Sequence, residues 1–275
     1  MLSGKHRSAI LCGLLIGVFA GVPCAKSQVS VVDMVPASNS GETNRDSEPN
    51  LAVNPANPSV LSASAFTPDP GGTLTGVLYF SIDGGQTWQL TPAFVPASAE
   101  LGCFTTYCDI TLRYGGNSNQ LYVSFLATDS SSNNDLQVGS VPDITVGSPV
   151  FNSLETFDGS GGQYRDQPWV QVVTAGNDRA YVANNNTTLS GDTASVDLSS
   201  NPVPPPPAGF SSDVVDHGTT CRQDGPSVRP AVSLTGTVYL AFYRWTGSCS
   251  AANIVVVRDD NWGQGGTPFQ ALAGC

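Results

Sequence analysis

An all-β chain of repeated four-stranded units, a β-propeller, is what three features of this sequence predict. A pair of alternating apolar residues behind a polar or proline-containing approach recurs at Leu51/Val53, Ile110/Leu112, Val170/Val172 and Val232/Leu234, at steps of 59, 60 and 62 residues. Each pair leads into a second strand-like run, at 58–66, 119–128, 178–186 and 236–245, where Tyr122, Tyr181 and Tyr239 keep the same beat. Residues 81–88 read Ser-Ile-Asp-Gly-Gly-Gln-Thr-Trp, a tight strand-to-strand turn. A unit with this period cannot bury its faces alone, so the units must pack on one another around an axis.

The N-terminus comes first. Lys5, His6 and Arg7 precede an apolar run from Ala9 to Ala20, and Ala25-Lys26-Ser27 has the small-x-small form of a cleavage site. Residues 1–27 therefore read as a signal peptide, with a lipid anchor at Cys24 disfavoured by the preceding Pro23. The apolar run is too short for a membrane span, which needs about 20 apolar residues. The expected product is secreted or periplasmic, with no membrane insertion after cleavage.

Residues 28–44 read as a polar tether and 45–275 as the propeller. The first unit offers strands near 49–54, 59–66, 76–82 and 88–95, the 81–88 turn joining its third strand to its fourth. Ser81 and Asp83 are expected to bond backbone amides there, Gly84 and Gly85 to supply positive φ, Thr87 to complete the turn and Trp88 to pack into the blade. This is a structural turn, expected on the face away from the central pocket. Three steps of 59 residues beyond Ser81 fall on Arg258, within a decayed turn from Val255 to Gly263. Pro202 and the run Pro204–Pro207 interrupt the third unit and read as an inserted outer loop, because proline cannot complete a ladder. Four units fit residues 45–275; the expectation is part of a six- or seven-bladed ring, a complete four-bladed ring being the alternative.

Charge narrows the partners. Without the leader the chain has no lysine, and eight arginines face twenty-two carboxylates, a formal net charge of −14. Such a surface repels phosphate backbones and anionic lipid, so nucleic acid and membrane surfaces are not expected partners. Five cysteines follow the leader. Cys103 with Cys108, and Cys221 with Cys249, are the expected disulfides, ahead of other connectivities; Cys275 is left over, which suggests further sequence beyond it.

The chemistry-bearing residues precede the inner strands. Arg45-Asp46-Ser47-Glu48-Pro49, Arg165-Asp166-Gln167-Pro168 and Arg229-Pro230 occupy what read as equivalent places in units one, three and four. Propeller geometry would gather them at one mouth, where guanidiniums grip a carboxylate and Asp46 or Asp166 serves as proton donor. The competing reading is that these Arg-Asp pairs tie neighbouring blades together. His217 is the only histidine after the leader, which leaves little room for a multi-histidine zinc site, and no Gly-x-Ser-x-Gly elbow accompanies it. No metal or other cofactor is expected; Asp129–Asp135 reads as a solvated turn sooner than a calcium loop. Asn185 and Asn186 each head an Asn-x-Thr sequon.

The chain resembles the sialidase-like, Asp-box (BNR-repeat) propellers, which include secreted exo-alpha-sialidase-like proteins. The resemblance is carried by 47–60, the turn at 81–88, Asp166-Gln167-Pro168-Trp169, Val228–Val232 with Val238–Phe242, and Val257–Gly263. It implies a glycan or glycoprotein partner, an arginine clamp of Arg45, Arg165 and Arg229, and an aspartate acid/base, with release of a terminal sialic acid. Tyr164 is the tyrosine on the mouth side. The rival expectation is a propeller that binds a glycan or protein without cleaving it.

Overall fold

The computed structural model describes residues 30–35, 47–66, 78–91, 108–116, 119–128, 134–157, 165–186, 193–199, 209–216, 227–246, 250–265 and 269–272. The expected signal peptide, Arg45, Asp46, Tyr164, His217, Cys103, Cys221, Cys249, Cys275 and the proline run lie outside them, as does the side chain of Cys108. Residues Val32–Cys275 form one compact unit.

Its described elements are all strands, in four antiparallel meanders. Blade 1 comprises β1 (Ser47–Val53), β2 (Leu61–Phe66), β3 (Leu78–Ser81) and β4 (Gln89–Leu90); blade 2 comprises β5 (Cys108–Tyr114), β6 (Leu121–Thr128), β7 (Asn134–Val141) and β8 (Asn152–Phe157). Blade 3 comprises β9 (Arg165–Ala175), β10 (Asn177–Asn186), β11 (Thr193–Ser199) and β12 (Ser211–Asp216); blade 4 comprises β13 (Arg229–Val232), β14 (Val238–Thr246), β15 (Ala251–Asp259) and β16 (Gln270–Ala271). In each sheet the strands pair in chain order, and the first strands touch from blade to blade: β1 with β5, β5 with β9, β9 with β13. The four-stranded units expected from the period are therefore present, with their first strands innermost.

Register places equivalent residues. In blades 1, 2 and 4 the inner hairpin closes on Val53↔Leu61, Tyr114↔Leu121 and Val232↔Val238; in blade 3 it runs on to Ala175↔Asn177, and Val172↔Ala180 is the pair that matches them, three residues after Trp169 as Val53 is after Asn50 and Tyr114 after Thr111. The apolar pairs that correspond are thus Leu51/Val53, Leu112/Tyr114, Val170/Val172 and Pro230/Val232. The sequence pairing of Ile110 and Val232 with Leu51 was out by two in blades 2 and 4. A slip of two leaves every side chain on its own face, so alternation could not detect it.

Packing is between blades. Ala52, Leu112 and Tyr114 join one apolar cluster across blades 1 and 2; Tyr122, Leu136, Val170 and Val172 join a second across blades 2 and 3; Tyr181, Val228, Leu240 and Phe242 join a third across blades 3 and 4. Leu112 and Val170 are fully buried, whereas Leu51, at the same blade position, is 54% exposed because no preceding blade lies against it among the described residues. Within the stretch expected as a tether, Val35 is buried and joins the first cluster. The periodic tyrosines bridge the joints: Tyr122 Oη donates to Asp178 Oδ2 at 2.8 Å, and Tyr181 Oη to the Trp262 carbonyl at 3.1 Å. Burial, then the bond to Asp178, raises Tyr122 above the ordinary phenol range, and burial pushes Tyr181 up to about 12.

The 81–88 turn forms as expected. Ser81 Oγ accepts from the Gly85 amide at 2.9 Å, Asp83 Oδ1 accepts from the Gln86 and Thr87 amides at 2.9 Å, and Thr87 Oγ1 donates to Asp83 Oδ2 at 2.6 Å. Gly84 and Gly85 have φ of 75° and 87°. These bonds, the Thr87 hydroxyl foremost, hold the Asp83 carboxyl down at about 2. In blade 4 the counterpart of Ser81 is Asp259, not Arg258: the registers Leu61↔Ser81 and Val238↔Asp259 coincide. Asp259 Oδ1 accepts the Asn261 and Gly263 amides at 2.7 and 2.6 Å, the i+2 and i+4 amides that Ser81 Oγ accepts in blade 1.

Candidate functional site

The inner strands of blades 1, 2 and 3 carry an irregularity at the same place. Pairing skips between Ser47 and Asn50, between Cys108 and Thr111, and opposite Asp166–Trp169. Glu48-Pro49, Asp109-Ile110 and Gln167-Pro168 each therefore oppose a single residue, one extra residue on the inner strand, which a bulge bends and re-aims. Asp109 and Gln167 sit at φ of 49° and 50°. Left-handed backbone at a non-glycine residue costs on the order of 1–3 kcal/mol and tends to mark binding or catalytic positions.

Directly after the bulge stand Asn50, Thr111 and Trp169, and Arg229 opens β13 at the corresponding place in blade 4; the four pair across to Ser64, Ser124, Ala183 and Ala241. All four line one cleft of about 360 Å³, together with Asp109, Gln167 and Ser227. The cleft lies at the start of the inner strands, hence at the end of the sheets opposite the hairpin turns and the 81–88 turn.

Blades 1 and 2 use this position to tie on the next blade. Asn50 Oδ1 accepts the Leu112 amide and Thr111 Oγ1 accepts the Val170 amide, each at 2.9 Å. At the third joint both partners change: Trp169 has no side-chain acceptor, and the residue equivalent to Leu112 and Val170 is Pro230, which has no N–H. The hydrogen bond is deleted from both sides, so no buried donor is left unsatisfied there. Two guanidiniums lie over the indole instead, with Cζ of Arg229 at 4.1 Å and of Arg113 at 5.4 Å from the ring centroid. Arg113 is further fixed by Gln171 Oε1 at 3.2 Å and the Leu112 carbonyl at 2.6 Å. Burial pushes Arg113 below its ordinary value, yet a guanidinium remains a cation. Gln167 Oε1 accepts from the Ser227 hydroxyl, closing the wall between blades 3 and 4.

Of the residues expected at the mouth, Arg229 lines the cleft and Arg165 does not. Arg165 reaches away to Asp197 Oδ2 at 2.8 Å and Asn184 Oδ1 at 3.1 Å, and lies 4.6 Å over the Phe157 ring of blade 2. Asp197 is fully buried and also receives Asn184 and Ser212. Burial pushes its carboxyl up, opposed by Arg165. Arg165 and Arg229 are thus not equivalent by register: Arg229 takes the place of Trp169, four residues further along the blade. Asp166 is half-buried beside the cleft wall, its Oδ1 accepting the Gln167 amide at 2.9 Å.

Asp109, Thr111, Asn50 and Gln167 were not singled out as site residues from the sequence. Their signal was a polar residue two before each inner-strand anchor (Glu48, Asp109, Gln167, Ser227), visible only once the blades are aligned on the anchors Asn50, Thr111, Trp169 and Arg229. Asn185 and Asn186, which head the sequons, are buried in β10, so the folded blade hides both amides.

No protein-family model and no curated protein sequence matches the chain. Solved structures do. An alpha-L-arabinanase of Penicillium chrysogenum, complexed with arabinobiose, superposes with a TM-score of 0.56 at 12% identity, over 83% of this chain and 66% of that one. An alpha-L-arabinofuranosidase of Fusarium graminearum, with an iminosugar inhibitor, gives 0.51 at 10% identity, over 79% and 64%. An endo-arabinase of Bacteroides thetaiotaomicron gives 0.51 at 9% identity, over 88% and 83%. The chain spans just under two thirds of the length of the first two. No helix among the described residues is long and apolar enough to cross a membrane. At such identity the likeness is one of fold, and it identifies the four sheets as blades of a β-propeller.

Proposed function

We propose that the protein is an exported propeller that binds glycans in the cleft at the start of its inner strands and hydrolyses off a terminal acidic sugar, sialic acid in the first instance. One observation carries the reading: four blades converge to place a guanidinium, Arg229, a carboxylate, Asp109, and amide and hydroxyl side chains in one cleft of about 360 Å³. That is the size and mixed polarity expected of a small-molecule site. The fold likeness to enzymes solved with arabinobiose and with an iminosugar supports a glycan as ligand. The acidic sugar is argued from Arg229, whose planar fork suits a carboxylate.

In hydrolysis a carboxylic acid protonates the leaving glycosidic oxygen as the C–O bond breaks. Water adds to the sugar carbon, and its proton passes to a second carboxylate. We assign Asp109 to one role, with Asp166, beside the bulge of blade 3, or Asp46, which precedes β1 in the sequence, for the other; Arg45 and Tyr164 neighbour Asp46 and Arg165 in the sequence. Arg165 serves the site from outside, by pinning the start of β9 to Asp197. Non-catalytic binding is the second reading, favoured by the single carboxylate, Asp109, among the cleft-lining residues.

The test is release of fluorophore from an aryl sialoside and from an aryl arabinofuranoside, run beside a binding titration. Sialoside turnover lost in Asp109→Asn supports hydrolysis. Binding without turnover, lost in Arg229→Ala, supports the second reading, and neither binding nor turnover would sink both.

A further inference from the structure

The third blade joint breaks a rule that the first two keep, and the break faces the cleft. Asn50 and Thr111 spend their side-chain oxygens on the next blade's amide, at 2.9 Å in both cases. Trp169 and Pro230 remove acceptor and donor together, so the position is relieved of its structural bond. In its place stands an aromatic face that carries Arg229 at 4.1 Å and Arg113 at 5.4 Å. Stacking occupies the flat side of a guanidinium and directs its hydrogen bonding into the plane of the fork, the geometry that reads a carboxylate bidentately. It also fixes an otherwise flexible side chain, which lowers the ordering cost of gripping a ligand. Arg229 lines the cleft of a chain with formal net charge −11, and Arg113 is held on the same ring, which makes the cleft a local exception to its surroundings.

We infer that Trp169 is a specificity-determining positioning residue: it holds the cleft-lining Arg229 so that the cleft selects a carboxylate-bearing sugar over its neutral isostere. This rests on the reading of the cleft as a glycan site. Trp169 acts through Arg229, so its removal weakens the preference for charge and leaves the affinity for a neutral sugar in place. Pro230 is part of the device, because any other residue there would present an amide that Trp169 cannot receive.

The experiment measures binding of methyl α-sialoside and of its carboxamide, equal in shape but uncharged, by ligand-observed NMR on the full chain. Wild type is expected to prefer the carboxylate by about tenfold or more, as a charge-assisted bidentate pair does over a neutral one. Trp169→Leu is expected to bring that ratio within about threefold of unity with carboxamide affinity retained, and Trp169→Phe, which keeps a flat ring, to hold most of it. Arg229→Lys keeps the charge but cannot stack in the same way, and should lose most of the preference even if Trp169→Leu does not fold. Equal affinity of wild type for both sugars would overturn the inference and leave the glycan site standing. So would an equal loss for both ligands in Trp169→Leu, or an unchanged ratio in Arg229→Lys. Failure of wild type to bind either sugar overturns the glycan reading itself, and this inference with it.

Discussion

The hydrogen bond that joins blade 2 to blade 3 can be removed from either side, and the order of removal tests the blade-joint rule. Thr111 Oγ1 receives the Val170 amide at 2.9 Å, with Thr111 6% exposed and Val170 fully buried. Thr111→Val keeps the shape and deletes the acceptor, leaving a buried N–H unpaired, which costs about 1–3 kcal/mol. Val170→Pro deletes the donor instead. The Val170 amide bonds outward to blade 2, so the proline breaks no rung within its own sheet, just as Pro230 sits in β13. The double variant reproduces the arrangement at Trp169 and Pro230, and no orphan donor remains. Urea unfolding followed by tryptophan fluorescence should therefore show the double variant more stable than the sum of the single losses predicts, by about 1 kcal/mol or more. If the two losses simply add, the amide is not held by Thr111, and the account of why blade 4 carries a proline there fails.

Leu112→Ala should destabilise by about 2–5 kcal/mol and Leu51→Ala by under about 1, since the same blade position is buried in one and half exposed in the other; urea titrations of the two variants compare them directly. Asp83→Asn should lower the melting temperature at neutral pH. The folded carboxyl sits at about 2, below its unfolded value, so the wild-type advantage is full above about pH 4–5 and fades as pH falls toward 2. Arg165→Ala leaves the buried Asp197 without its cation and should cost about 3–5 kcal/mol at neutral pH. Because burial raises the Asp197 pKa, that deficit should shrink as the pH is lowered and the carboxyl takes up a proton, which thermal melts across pH would show.

The repeat was legible because each blade joint needs an apolar face in a fixed place, and Tyr122 and Tyr181 span two of the joints. The 81–88 turn was legible because glycine at positive φ and side-chain oxygens that receive amides are local requirements, met within eight residues. Register was not legible. Apolar alternation repeats every two residues and is blind to a slip of two, and the bulges at 48–49, 109–110 and 167–168 add residues to the inner strand without changing which face is apolar. The site depended on that register. Arg165 and Arg229 look alike as arginines ahead of an inner strand, yet Arg165 finds Asp197, 32 residues on, and Arg229 finds Trp169. No local pattern announces a partner at that distance.

The same register explains why the chemistry gathers at one end of the blades. At the hairpin end the residues hold turns and joints together: Asp178 receives Tyr122, and Asp83 and Asp259 receive turn amides. Toward the cleft end Asn50 and Thr111 receive the next blade's amide, whereas Trp169 and Arg229, at the same blade position, carry no acceptor that could do so. Once proline has removed the amide that a side chain had to receive, substitution at the facing position no longer leaves a buried donor unpaired. An aromatic or charged group can then be held there for a ligand at little cost to the fold. Blades 1 and 2 thus spend this position on the joint to the next blade, whereas in blade 3 it holds the indole over which Arg229 lies.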